Sequence, residues 1–163
     1  MTIDYVTSLE EIAWGTGLVA VTMAIHGCGM LGTLVACHSM GHGSEKRMSF
    51  LRGGAILILA SWMIVVVHLF EVLVWAAFFL LNGAMTDPSN AYYFALMQYT
   101  TVGSGSGLPL RWRLLDGLPI AALLTFAWST GVLFMLAQEF QNTQLAALHA
   151  RREVRRGRRV GRS

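Results

Sequence analysis

Charged side chains are scarce in this chain. Asp, Glu, Lys and Arg make up 13% of its 163 residues, about half of what a soluble domain usually carries. That shortage, beside 55% hydrophobic residues, excludes an ordinary soluble globular domain. No span carries regularly spaced arginines, so voltage sensing through a charged helix is not expected. Only two cysteines occur, Cys28 and Cys37. They sit nine positions apart on one expected helix, too far for a disulfide, and read as buried thiols that pack. There is no serine–histidine–acid spacing, no phosphate loop and no pair of carboxylates placed for a cleft, so no enzymatic role is expected. Basic residues are also missing ahead of the first apolar run, where Asp4, Glu10 and Glu11 stand instead. A cleavable signal begins with positive charge and a shorter apolar core, so the first run is expected to remain as a helix.

Long apolar stretches are what the chain has in their place. Residues 12–36, 53–81 and 118–137 are each long enough to cross a bilayer, which takes roughly 20 helical residues. Lys46, Arg47 and Arg52 follow the first. Arg151, Arg152, Arg155, Arg156, Arg158, Arg159 and Arg162 follow the third. By the positive-inside rule both clusters are cytoplasmic. The N-terminus then lies outside an inner cell membrane crossed three times. Beside a span, the arginine-rich tail finds anionic lipid headgroups as its nearest partner, at about 1 kcal/mol per residue, and no nucleic-acid partner is expected. Its final stretch is expected to lack fixed structure.

Between the second and third runs lies YYFALMQYTTVGSGSG, residues 92–107. An aromatic-rich amphipathic segment leads into Thr-Thr-Val-Gly-x-Gly, flanked by VHLFEVLVWAAFFLLNG before it and by LRWRLLDG and FAWSTGVLF after it. Glycines let successive backbone carbonyls point one way, toward a dehydrated cation. Irregular backbone at membrane depth is tolerated only where it lines water or protein. In this order the segments, within residues 62–141 and covering about half of the chain, resemble the pore domain of the tetrameric potassium-channel superfamily. They look most like the small bacterial ion channels that add one N-terminal span to a two-helix pore. The resemblance implies an all-α integral membrane fold, with three transmembrane helices, a re-entrant pore helix and a selectivity-filter loop. It implies a homotetramer conducting monovalent cations, potassium first, with no other cofactor. The organisation expected is an extra helix and loop over 1–52, the pore domain over 53–141 and a basic tail over 142–163.

Residue by residue, the resemblance assigns the filter to Thr101, Val102, Gly103, Ser104 and Gly105, with Thr100 ending the pore helix. Thr101 offers a hydroxyl as well as its carbonyl, and Val102, Gly103 and Ser104 offer main-chain oxygens. Glu71, His68, Tyr93 and Phe94 fall to the filter's support. The sequence departs from the family's pattern at Ser104, where potassium-selective members carry Tyr or Phe, and at Ser106, where they carry Asp. A serine cannot fill the volume of an aromatic cuff. With Arg111 and Arg113 nearby, and only Asp87 and Asp116 as acids, weak selectivity is expected.

The third run is expected to begin its helix near Pro119, because proline suits a first helical turn. Gly131 within it reads either as a gating hinge or as a close-packing position beside Ser129 and Thr130. His68 and Glu71 are three residues apart and share a helical face; ionisable groups at that depth pair or face a cavity. Glycines at 15, 17, 27, 29 and 32 fit close packing of the first span on the second span of its own or of a neighbouring subunit. Three alternatives to conduction remain. In one, the channel scaffold persists as a non-conducting interaction protein. In another, a haem is held by His26 and His68. In the last, a metal path runs through His26, Cys28, Met30, His38, Met40 and His42.

Overall fold

The computed structural model describes residues 8–42, 50–103, 107–117 and 119–160. Among them there is no strand. The order is α1 (Leu9–His42), α2 (Phe50–Leu81), α3 (Pro88–Tyr99), a short 3-10 helix (Leu110–Gly117) and α4 (Pro119–Val160). Three helices are long and apolar enough to cross a membrane: α1, α2 and the N-terminal part of α4. All three expected spans are present, each inside a longer helix.

Local signals set the helix ends. At the start of α1 the Ser8 hydroxyl accepts from the Glu11 amide while the Glu11 carboxylate accepts from the Ser8 amide, both at 3.1 Å. This reciprocal capping box satisfies two otherwise orphaned donors. At the start of α3, Asp87 accepts from the Asn90 amide at 2.8 Å, and Pro88 fills the first helical position, where its missing N–H costs nothing. Helix α2 ends at Gly83, whose φ is 65°. The amides of Gly83 and Ala84 turn back to the carbonyls of Leu80 and Phe79, the paired bonds of a Schellman cap. Helix α4 starts at Pro119 as expected but does not stop where the apolar run stops. It continues unbroken to Val160, so of the tail's final stretch, expected to lack fixed structure, all that is described is helical, and residues 161–163 lie outside the described set. Residues 142–160 hold six Arg, three Ala and two Leu and contain no proline, and these are good helix formers.

Helix α2 is the hub: it packs against α1, α3 and α4. Two apolar clusters result. One joins Leu18 of α1, Val72, Trp75 and Phe79 of α2, Phe94 and Tyr99 of α3, Trp112 and Leu115 of the 3-10 helix, and Ala122 of α4. The other joins Met30 and Cys37 of α1, Ala60 and Ile64 of α2, and Val132 and Leu136 of α4. Lipid tails are as apolar as these side chains, so helix association in a bilayer depends on close packing and interhelical hydrogen bonds rather than on water exclusion. Gly29 supplies close packing: a Cβ there would meet Val67 Cγ2 at 2.5 Å. Gly53 likewise abuts the Phe140 ring. The expected seating of the glycine-rich first span on the second is therefore observed within one chain. Of the two cysteines, Cys37 is buried and Cys28 is exposed on the surface of the chain, so the packing role holds for one of them only.

Candidate functional site

Helix α3 is a short element lodged against α2 and α4, with Ala91, Phe94, Ala95, Gln98 and Tyr99 buried. Phe94 stands edge-on to Phe79 of α2, ring centroids 5.4 Å apart. Tyr93, assigned with Phe94 to the filter's support, is instead exposed. Tyr99 ends the helix and Thr100 caps it, as the sequence led one to expect.

The cap beyond Tyr99 repeats the one that ends α2, with a different residue at its critical position. The Thr101 amide bonds the Gln98 carbonyl at 2.9 Å and the Val102 amide bonds the Met97 carbonyl at 3.1 Å. Thr101 occupies the place that Gly83 fills in the other cap, with φ 62°. Left-handed backbone is free for glycine, but for a β-branched residue it is a true outlier. Such strain collects at functional positions. Gly103 is also left-handed, at φ 77°, while Val102 is not. Thr100, Thr101 and Val102 are all exposed on the single chain. Ser104 and Gly105, assigned to the filter, lie outside the described residues, as does Ser106.

Directly behind this segment, between the two apolar clusters, lies a buried polar circuit drawn from all four α-helices. Glu71 of α2 receives Nδ1 of His26 from α1 at 2.9 Å on Oε1, and the hydroxyl of Tyr99 from α3 donates to Oε2. His68 of α2 bonds the Tyr99 hydroxyl through Nδ1 at 2.8 Å and Ser129 Oγ of α4 through Nε2 at 3.0 Å. Ser129 Oγ also reaches Nε2 of His26 at 3.3 Å. The circuit is closed. Thr125 of α4 flanks it, 2.8 Å from the Tyr99 hydroxyl and donating to the Ala122 carbonyl at 3.0 Å. Phe126 packs on the His68 ring and Trp128 stands edge-on to His26. Beside it, Trp75 Nε1 donates to Thr22 Oγ1 at 3.0 Å, a second polar tie between α1 and α2.

Glu71 and His68 thus converge on the residue that precedes Thr100, while His26 joins them from α1. Sequence reasoning missed the parts of Ser129, Thr125 and the Tyr99 hydroxyl. The signal available was the one-turn spacing of Thr125 and Ser129, which puts two hydroxyls on one face of α4. Gly131 does not pack closely within the chain: a Cβ there would meet nothing within 4 Å. Asp116, expected among the acids near the outer end, turns inward, and its Oδ1 is buried with no hydrogen-bond partner among the described residues.

The circuit bears on the haem and metal alternatives too. His26, His68 and Glu71 bring ligand-type atoms within 4.8 Å of one another, each of them engaged in the hydrogen bonds above. The two imidazoles have centroids 5.2 Å apart with Ser129 bridging their Nε2 atoms, so they would have to separate to admit a porphyrin between them. Compared with known proteins, the chain matches no family model, no curated protein and no solved structure.

Proposed function

We propose that this chain is the pore subunit of a homotetrameric channel of the inner cell membrane, conducting monovalent cations with weak preference for potassium. The observation that carries the reading is the end of α3. A short helix, buried on one side and tied at its last residue to a membrane-centre carboxylate, delivers Thr100–Gly103 to the chain surface. Within that segment Thr101 and Gly103 have left-handed backbone and Val102 between them does not. Four such segments around an axis would replace the water around a cation.

In this reading Thr101, Val102 and Gly103 begin the filter, and Ser104 and Gly105 complete it. Glu71, His68 and Phe94 brace it from behind. Tyr93, exposed on one chain, faces the neighbouring subunit. The open flank of Gly131 leaves α4 free to bend. The basic end of α4 lies against anionic headgroups on the cytoplasmic side.

The test is reconstitution of the purified protein into liposomes, with potassium and sodium flux measured side by side and the mass of the particle taken by native mass spectrometry. The expected result is a tetramer passing both ions, with a potassium-to-sodium ratio of less than about tenfold, the outer part of the filter lacking its aromatic cuff. A monomer, or a tetramer that passes no cation, ends the proposal.

A further inference from the structure

The buried circuit has five links: Glu71–His26, His26–Ser129, Ser129–His68, His68–Tyr99 and Tyr99–Glu71. Every link needs one hydrogen. A hydroxyl supplies one, a neutral imidazole supplies one and a carboxylate supplies none. Ser129, Tyr99, His26 and His68 in their neutral forms therefore supply four, and the circuit is one short; the Thr125 hydroxyl brings its own hydrogen, shared between Tyr99 and the Ala122 carbonyl, and leaves that balance unchanged. With four hydrogens, two lone pairs face each other across one link, inside a packed site where an unsatisfied polar atom is costly. A sixth hydrogen would set two donors against each other.

One added proton closes the circuit. It completes all five links when placed on His26 with the carboxylate ionised, on His68 with the carboxylate ionised, or on Glu71 with both imidazoles neutral. The cluster then carries no net charge, whereas without the proton it holds an uncompensated anion at the centre of the helices, where charge is most expensive. Among the described residues, the titratable and hydroxyl groups facing the circuit are these. His26 comes from α1, His68 and Glu71 from α2 and Tyr99 from α3, and α4 presents only the hydroxyls of Thr125 and Ser129.

We propose that this circuit is a proton-binding site that holds a single proton jointly on His26, His68 and Glu71, locking the C-terminal residue of α3 to the other three helices. The proton belongs to the set rather than to one side chain. Because Tyr99 directly precedes Thr100, loss of the proton leaves one link unfilled in the circuit that anchors the base of the Thr-Thr-Val-Gly segment. The proposal stands apart from conduction, and its readout is folding, not flux.

The test compares the parent with Glu71→Gln and Glu71→Ala by thermal unfolding in detergent micelles over about pH 5 to 9, a range spanning the ordinary histidine pKa near 6.5. In the glutamine variant the amide N–H stands where the added proton stood, with both imidazoles neutral, so every link stays filled. The sign follows from proton counts. The folded parent carries one extra proton throughout. Above about pH 6.5 the unfolded chain carries none on these groups, so parent stability falls as pH rises, by up to about tenfold in the folded-to-unfolded ratio per unit. Below about pH 6.5 the unfolded chain takes up two on its histidines, and stability falls again as pH drops. The parent therefore shows a maximum near pH 6.5.

Glu71→Gln carries no extra proton when folded, so its stability rises through about pH 6.5 and then levels. Groups elsewhere are common to both proteins and cancel in the difference. Glu71→Ala strands donors from His26 and Tyr99 and should melt lower by on the order of 10 °C, or fail to fold. The proposal is overturned by a parent curve that levels like the variant's, or by a glutamine variant that does not fold. It is equally overturned by a stoichiometric metal ion in the purified parent whose removal by chelator lowers its melting temperature.

Discussion

At the scale of single residues, two positions that are chemically alike in fold terms carry different side chains, and the difference is informative. Gly83 and Thr101 each fill the left-handed position of the same kind of helix cap. At Gly83 the choice follows the backbone. At Thr101 it opposes the backbone, by roughly 1–2 kcal/mol for a side chain in that region, so something other than the cap must favour threonine. In the channel reading this is the hydroxyl at the inner end of the filter. Thr101→Gly should then raise stability by about 0.5–1 kcal/mol, the relief of strain exceeding the added freedom of the unfolded chain, while reducing cation flux. A fall in melting temperature on that substitution would show that the backbone strain is not real.

At the scale of elements, the sequence is legible where the signal is local. Each apolar run appears within a helix, the Ser8–Glu11 box starts α1, and Pro119 starts α4. The pairing of elements is less local, yet the small residues announced part of it. Gly29 lets α1 approach α2 against Val67. Adding a methyl group at that distance forces a shift that should cost about 1–3 kcal/mol. Gly29→Ala is therefore expected to melt lower than the parent, and Val67→Ala in the same chain should recover much of the loss. Additive losses in the double variant, measured as a thermodynamic cycle, would place the clash elsewhere.

At the scale of the whole molecule, the basic residues gather at one end. Arg52 donates to the Met40 carbonyl at 2.8 Å, and the Phe50 and Phe140 rings stand 5.7 Å apart. The C-terminal end of α1 and the start of α2 therefore meet, and the start of α2 lies beside Phe140 of α4. At the opposite end Arg111 is paired with Glu10 at 2.9 Å, and the Leu114 amide donates to Glu11 at 3.2 Å. In the sequence, residues 43–52 and 151–163 carry the excess of positive charge, the asymmetry the positive-inside rule reads. With Cys28 and Cys37 replaced by serine, a cysteine introduced as Thr2→Cys should react with an impermeant maleimide on intact cells. Ser163→Cys should react only after the membrane is opened. The reverse pattern would invert the topology.

Composition and the length of the apolar runs determined that this is a helical protein with three helices fit to cross a membrane, and the resemblance of residues 62–141 to a pore domain led one to expect the short helix before Thr-Thr-Val-Gly. These follow from interactions among residues a few positions apart, which the order of side chains states directly. Tertiary structure decided which partners the ionisable groups of the apolar helices meet. His26 and Glu71 are 45 residues apart, and His26 and Ser129 are 103 apart. No spacing in the chain could indicate that they close one circuit around the Tyr99 hydroxyl. Only helix packing brought His26 onto Glu71 and Ser129, because that pairing depends on which lone pairs meet across helices, and sequence does not encode it in any local pattern.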